Sequence, residues 1–220
     1  MRLPRRNTLG APAVRLHDLE QDLSGRLGTP MIVVHTVGGI HPSRLNQAEL
    51  DQLSRFRFAK RRKDWLLGRN ALKEILLTLG QNDDTTNSTH AGSHISLTHA
   101  GDTAYAAATP ASGRGIGIDY EPVRPLDDRI ARWFLTAKEM DWLTKQAKPC
   151  RDAELVRLWT VKEAALKSHT DNARMSFDEF SISAPSASVM DVVTVGQRIR
   201  VSSCALGSGY LSVAICEETQ

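Results

Sequence analysis

Trp65, Leu72, Ile75, Leu76 and Leu79 recur three to four residues apart, a spacing that predicts an amphipathic helix over 64–79. Gly80 is its natural stop. Ahead of it, the β-branched run Met31-Ile32-Val33-Val34-His35-Thr36-Val37 predicts a buried strand, ended by Gly38, Gly39 and Pro42. Asn46 is placed to cap a short helix over 47–53. The polar stretch 81–94 reads as a loop. Residues 95–99 and 103–109 then read as two strands of a hairpin turning at Ala100-Gly101-Asp102. A short linker, 110–115, leads to a strand, Ile116 to Glu121, that Pro122 ends. Thr136 and Glu139 form a capping-box pattern, and a long helix follows over about 152–169. Trp133, Phe134, Met140, Trp142 and Leu143 read as core. Four further strands are predicted at 180–183, 189–195, 198–204 and 209–216.

The chain contains an internal echo. One helix carries Leu72-Lys73-Glu74-Ile75-Leu76 and is followed by a hairpin; the other carries Val161-Lys162-Glu163-Ala164-Ala165-Leu166 and is followed by strands. The pattern implies an α+β fold of two similar halves. Each is a long helix packed on a small antiparallel sheet, with an active site in the cleft between them. The expected division is a flexible tail over 1–29, a first half over 30–111 and a second over 112–220.

With 220 residues, 41% hydrophobic and 24% charged, the composition is that of a folded globular chain. No apolar run reaches the length of a membrane span, and the basic N-terminus has no signal-peptide core. Three cysteines without metal-ligand spacing point to a reducing, cytoplasmic setting. The net charge of +3 is unevenly spread: six of the nine residues from Arg55 to Lys63 are basic. Such a block calls for a polyanionic partner or else a solvated helix face.

Asp119 and Glu121 stand at i and i+2 on the Gly117–Pro122 strand, so both carboxylates leave one face. Oxygen-only ligands suit Mg²⁺, with Mn²⁺ the alternative. Taken alone, the pair describes a half-exposed strand facing water equally well. Glu163 and Lys167 lie at i and i+4 on the later helix, with Trp159 one turn before them on the same face. That set, too, describes an ordinary surface ion pair when taken alone.

Gly117-Ile118-Asp119-Tyr120-Glu121-Pro122 together with Trp159-x-x-Lys162-Glu163-Ala164-x-x-Lys167 resembles the signature of the Sfp-like 4′-phosphopantetheinyl transferases, a family built as two pseudo-symmetric halves. Leu97-Thr98-His99 resembles a third motif of that family, with Thr98 where Ser is usual. The stretch Phe58 to Arg69 resembles its basic helix ending in Gly-Arg. These motifs run in the family's order over about residues 55–167. The resemblance implies Mg²⁺ held by Asp119, Glu121 and Glu163. It implies Glu163 as general base and Lys167 at the leaving group, with coenzyme A held by Lys60, Lys63, Arg69, Thr98, His99 and Lys162. The reaction would move 4′-phosphopantetheine from coenzyme A to a serine of an acyl or peptidyl carrier protein and release 3′,5′-ADP. The enzyme would act as a cytoplasmic monomer, with neither nucleic acid nor membrane as partner. A metal-dependent phosphatase or nuclease would use the same carboxylates. A non-enzymatic polyanion binder would use the basic block but leave the carboxylates idle.

Overall fold

The computed structural model describes residues 11–86, 95–110, 114–169 and 172–217. Strand β1 (Ala11–Arg15) and helix α1 (His17–Leu27) precede β2 (Ile32–Val37), α2 (Gln47–Ser54), α3 (Ala59–Thr78), β3 (Ile95–Ala100) and β4 (Thr103–Ala108). Then come β5 (Arg114–Pro122), α4 (Asp128–Phe134), α5 (Ala137–Thr144), α6 (Lys148–Ser168), β6 (Ser181–Ile182), β7 (Val189–Thr194), β8 (Gln197–Leu206) and β9 (Gly209–Glu217). They build two antiparallel sheets, ordered β1-β2-β4-β3 and β5-β9-β8-β7-β6. The expected α+β architecture is present, with one long helix on each sheet.

The period-two alternation of the strands sorts the apolar residues into separate cores. Leu67, Leu72, Ile75 and Leu76 of α3 pack on Val34, Ala104, Ala106 and Ala108 of the first sheet. Leu155, Leu158, Val161 and Ala165 of α6 pack on Val192, Ile199, Val201 and Ala214 of the second. The opposite faces of the sheets meet in a third core: Val33, Tyr105 and Ala107 against Ile116, Ile118, Tyr120, Leu211, Val213 and Ile215. Leu23 and Leu27 of α1 join this core, fully buried or nearly so. Residues 11–29 are therefore not a tail. They supply an edge strand and a helix, and each buried leucine contributes roughly 2 kcal/mol. Residues 1–10 and the proposed division point at 111–112 lie outside the described residues.

The internal echo is a repeat of topology. The run β2-α2-α3-β3-β4 corresponds to β5-α5-α6-β8-β9, and the strands stand in the same order, β2-β4-β3 and β5-β9-β8. The correspondence reaches single side chains. In each half a capping box opens the short helix, Asn46 with Glu49 and Thr136 with Glu139. In each half that glutamate also takes a buried lysine from the long helix: Lys73 Nζ is 3.0 Å from Glu49 Oε2, and Lys162 Nζ is 2.7 Å from Glu139 Oε2. This corrects the reading of Lys162 as a coenzyme A contact. Its side chain is fully buried and also donates to the carbonyls of Phe134 and Phe177. One residue from Glu163 on a helix is a turn of about 100°, and that turn takes Lys162 into the core.

The second sheet lets α6 come unusually close. An added Cβ at Gly117 would stand 1.9 Å from the Ala164 carbonyl oxygen, and one at Gly115 would stand 1.9 Å from that of Ser168. Both glycines face backbone, which cannot rotate away. Gly68 of α3 is different: a Cβ there would meet only Leu97 Cδ1, at an ordinary 3.5 Å. Gly117→Ala is expected to destabilise the fold by about 3 kcal/mol or more through forced separation of helix and strand. Gly68→Ala should be neutral or stabilising by up to about 1 kcal/mol through helix propensity. Urea unfolding of the two variants compares them, and equal effects would contradict the close-approach argument.

Candidate active site

Asp119 and Glu121 leave β5 on the same face as Gly115 and Gly117, so they point toward the side on which α6 lies. Glu163 and Lys167 project from the turns of α6 that the glycines admit. Lys167 Nζ donates to Asp119 Oδ1 at 2.7 Å and to the Ile118 carbonyl at 3.3 Å. Glu163 and Glu121 each sense the charges of Asp119 and Lys167, and Glu163 senses Glu121 as well. Three carboxylates and one ammonium thus share one half-buried place. Arg124 stands at its rim, 3.9 Å from Glu121.

Burial, and then the neighbouring negative charges, push both Glu121 and Glu163 above the ordinary carboxylate range, with Lys167 opposing. Asp119 Oδ2 is buried and accepts no hydrogen bond. Among the described residues, no three ligating groups already stand at metal-binding spacing; the Lys167 ammonium holds Asp119 instead. The donor set still fits a hard divalent cation. It is all oxygen, it carries an orphaned buried oxygen, and its like charges repel in the absence of an added cation.

Thr98 belongs to this cluster rather than to an open binding surface, contrary to expectation. It is buried, its hydroxyl donates to Asp119 Oδ1 at 3.0 Å, and it accepts from the Tyr120 amide at 3.4 Å. Ser96, two residues earlier, accepts from the Ile118 amide at 3.1 Å. The two hydroxyls stand in for a main-chain ladder where β3 of the first sheet meets β5 of the second. A threonine serves this purpose as well as a serine.

On the other face of β3 lies a cavity of about 790 Å³. Leu97 and His99 form one wall; Phe56, Phe58, Lys60, Arg61, Trp65 and Arg69 form much of the rest. It is an aromatic slot with a cationic rim. Arg61 lies 5.5 Å over the Phe56 ring and Arg69 4.8 Å over that of Trp65. Helix α3 starts at Ala59, several residues earlier than the apolar spacing implied, so Lys60 to Lys63 form its first turns. No side chain caps that end. An uncapped helix N-terminus that also carries four cations is an anion-binding surface by charge and by free N–H groups. Lys60 is held by the half-buried Asp64 and Lys63 by the exposed Asp102. His99 and Thr98 are adjacent, so the cavity and the carboxylates sit on the two sides of one strand. His90 and His94 lie outside the described residues.

Phe134 and Leu143 are core, as expected, but Trp133 is 84% exposed and Ile130 42%. A smaller cavity lined by Glu121, Arg124, Leu126, Ile130, Phe134 and Trp159 opens between this surface and the carboxylates. Trp159 forms its wall, packed edge-on against Phe134 (5.0 Å) and tilted against Phe177 (5.1 Å). The sequence signal for this surface was present in α4, where Ile130 and Trp133 are spaced i, i+3. The resemblance already implies a carrier-facing surface here, with Arg124, Arg129 and Arg132; what differs is Trp133, whose helical spacing reads as core but which faces outward.

Residues 115–216 match the model of the 4′-phosphopantetheinyl transferase superfamily. The chain is similar to the 4′-phosphopantetheinyl transferase psf-1 of Bacillus pumilus, 36% identical over 74 residues, and to the 4′-phosphopantetheinyl transferase gsp of Aneurinibacillus migulanus, 29% identical over 75. Each of these stretches covers 34% of this chain and 30% of the relative's own length. Among solved structures, a holo-(acyl-carrier-protein) synthase from Bacillus anthracis in complex with CoA (3′,5′-ADP) is 16% identical, with a TM-score of 0.42. That match covers 48% of this chain and 96% of that one.

Because the folded state raises Glu163 above its unfolded value, the folded protein holds its proton more tightly. The associated stability is present below the ordinary carboxylate range and is lost as pH rises through the raised value. In the presence of a chelator, Glu163→Gln should therefore be more stable than the unchanged protein at pH 8, with the gap narrowing toward pH 4.5. Urea midpoints across that range measure it. A gap that is constant, or that widens toward acid, would contradict the burial argument.

Proposed function

We propose that this chain is a 4′-phosphopantetheinyl transferase, the family whose model residues 115–216 match, and that it transfers 4′-phosphopantetheine from coenzyme A to a serine of an acyl or peptidyl carrier protein. The supporting observation is the pairing of two different sites across β3. An aromatic cavity with a cationic rim fits a phosphorylated adenine nucleotide. One residue away, a carboxylate cluster with one ammonium fits a divalent cation that would meet a pyrophosphate.

In this reading Lys60, Lys63, Arg69 and His99 hold the phosphates and the nucleotide end of coenzyme A. Asp119, Glu121 and Glu163 would hold Mg²⁺, with Mn²⁺ the alternative, which supplies charge neutralisation at the pyrophosphate when bound. Glu163 accepts the proton of the carrier serine, directly or through a water. The serine oxygen bonds to the phosphorus that bears the pantetheine arm, and the bond from that phosphorus to the bridging oxygen breaks. The electron pair leaves with 3′,5′-ADP, whose new charge Lys167 meets. Thr98 orients Asp119 and keeps β3 against β5. Phosphoryl transfer asks for this alignment and charge compensation more than for a covalent partner.

The carrier would approach over α4. Arg129, which is paired with Asp127, and Arg132 share α4 with the exposed Ile130 and Trp133, and Arg124 lines the smaller cavity with Ile130 and Glu121. Carrier proteins are acidic, so the charges complement one another. The enzyme would act as a monomer in the cytoplasm. No helix among the described residues is long and apolar enough to cross a membrane.

Incubation with coenzyme A, Mg²⁺ and an apo carrier should add roughly 340 Da to the carrier by mass spectrometry, the phosphopantetheine increment. Glu163→Gln should lower the rate about 100-fold or more while leaving the chain folded. No mass gain with several carriers would sink the reading. In steady-state kinetics, Arg129→Glu combined with Arg132→Glu should raise the KM for the carrier about tenfold and leave that for coenzyme A unchanged. An unchanged carrier KM would remove α4 as the docking surface.

A further inference from the structure

The buried Lys73–Glu49 pair does more than fill the first core. Glu49 Oε1 accepts from the Thr85 amide at 3.2 Å and from the Thr85 hydroxyl, while Lys73 Nζ donates to the Asp83 carbonyl at 2.7 Å. Asn46, the cap of α2, donates to Asp84 Oδ1 at 2.9 Å. Residues 83–85 are thus clipped onto α2 and α3 by three side chains. Arg69, one turn before Lys73 on α3, closes the arrangement: its guanidinium lies on Trp65 and donates to Gln52 Oε1 at 3.3 Å and to the Thr85 carbonyl at 3.5 Å. Its Nε is buried and has no partner. The second half repeats the clip for another purpose. Glu139 Oε1 accepts from the Ile182 amide at 2.6 Å and Lys162 donates to the Phe177 carbonyl, which sets Phe177 against Trp159.

We infer that Glu49, Lys73 and Thr85 are positioning residues for Arg69, and that through it they set the affinity of the aromatic, cationic cavity for the phosphates of coenzyme A. A guanidinium that could swing free would lose little energy in water. Fixed over Trp65 and tethered to Gln52 and Thr85, with Arg69 lining the cavity, it is pre-organised for an anion. The clip sits behind the cavity: none of its three residues lines it. It acts on coenzyme A only, because the carrier surface at α4 is tied to the other lysine–glutamate pair. The inference rests on the function proposed above, since it takes coenzyme A as the ligand.

The test is a mutant cycle read by calorimetric titration with coenzyme A. Arg69→Ala should weaken binding about tenfold. Thr85→Val, which keeps the side-chain volume and the buried ion pair, should weaken it about threefold. The double variant should bind no more weakly than Arg69→Ala alone, because the threonine acts through the arginine. The KM for the carrier should stay unchanged in Thr85→Val. If Thr85→Val does not fold, Gln52→Leu cuts another tether of Arg69 without touching the ion pair, and the same non-additivity is expected. Effects that multiply, or a Thr85→Val protein that melts earlier yet binds coenzyme A normally, would overturn the inference. A wild-type protein that binds no coenzyme A would overturn the functional reading itself, and with it this inference.

Discussion

The closeness of helix α6 to strand β5 is the constraint on which the candidate site depends. Gly115 and Gly117 remove the side chains that would otherwise hold the helix off, and the carbonyls of Ala164 and Ser168 occupy the space. Only at that distance does Lys167 reach Asp119 and does Glu163 feel the charges of Asp119 and Glu121. The cluster is costly to assemble: burial and mutual repulsion raise both glutamates. The apolar packing of α6 on the second sheet has to offset this, and a bound cation would relieve it. A site that destabilises its own fold until a charged ligand arrives is a common arrangement for a binding centre.

The two halves use one plan with different outcomes. Both place a lysine of the long helix in the core and neutralise it with the glutamate of a capping box. Buried pairs of this kind add little net stability, because desolvation opposes attraction. Here each pair also gathers main-chain groups of the segment that follows its helix. In the first half that segment braces Arg69 beside the aromatic cavity. In the second it braces Trp159 beside Glu121. The glutamate next to each lysine has diverged: Glu163 enters the carboxylate cluster, whereas Glu74 forms an ion pair with Arg44 near the surface.

Much of this was legible because it is local. Period two on β5 put Asp119 and Glu121 on one face, and i, i+4 spacing paired Glu163 with Lys167. Short-range patterns also gave the helix caps at Asn46 and Thr136. What was not legible depends on partners distant in sequence. Lys162 is itself charged and followed by Glu163, with nothing local to mark it as core, and its partner Glu139 lies over twenty residues away. Thr98 reads as a free hydroxyl until β3 is laid beside β5. Helix α1 was passed over because no side chain caps it and Gly and Pro surround it, although Leu16, Leu19, Leu23 and Leu27 keep helical spacing. Trp133 was assigned to the core for its hydrophobicity, which says nothing of the direction it faces.

The central claim is that backbone approach, and not the carboxylates alone, assembles the proposed cation site. Mn²⁺ binding by electron paramagnetic resonance, in the presence of coenzyme A, tests it on Gly117→Ala, a variant that keeps every proposed ligand. The account predicts that the wild-type protein takes up one Mn²⁺ and that folded Gly117→Ala, checked by circular dichroism, takes up none at the same concentration. Equal Mn²⁺ binding by the two proteins would contradict it.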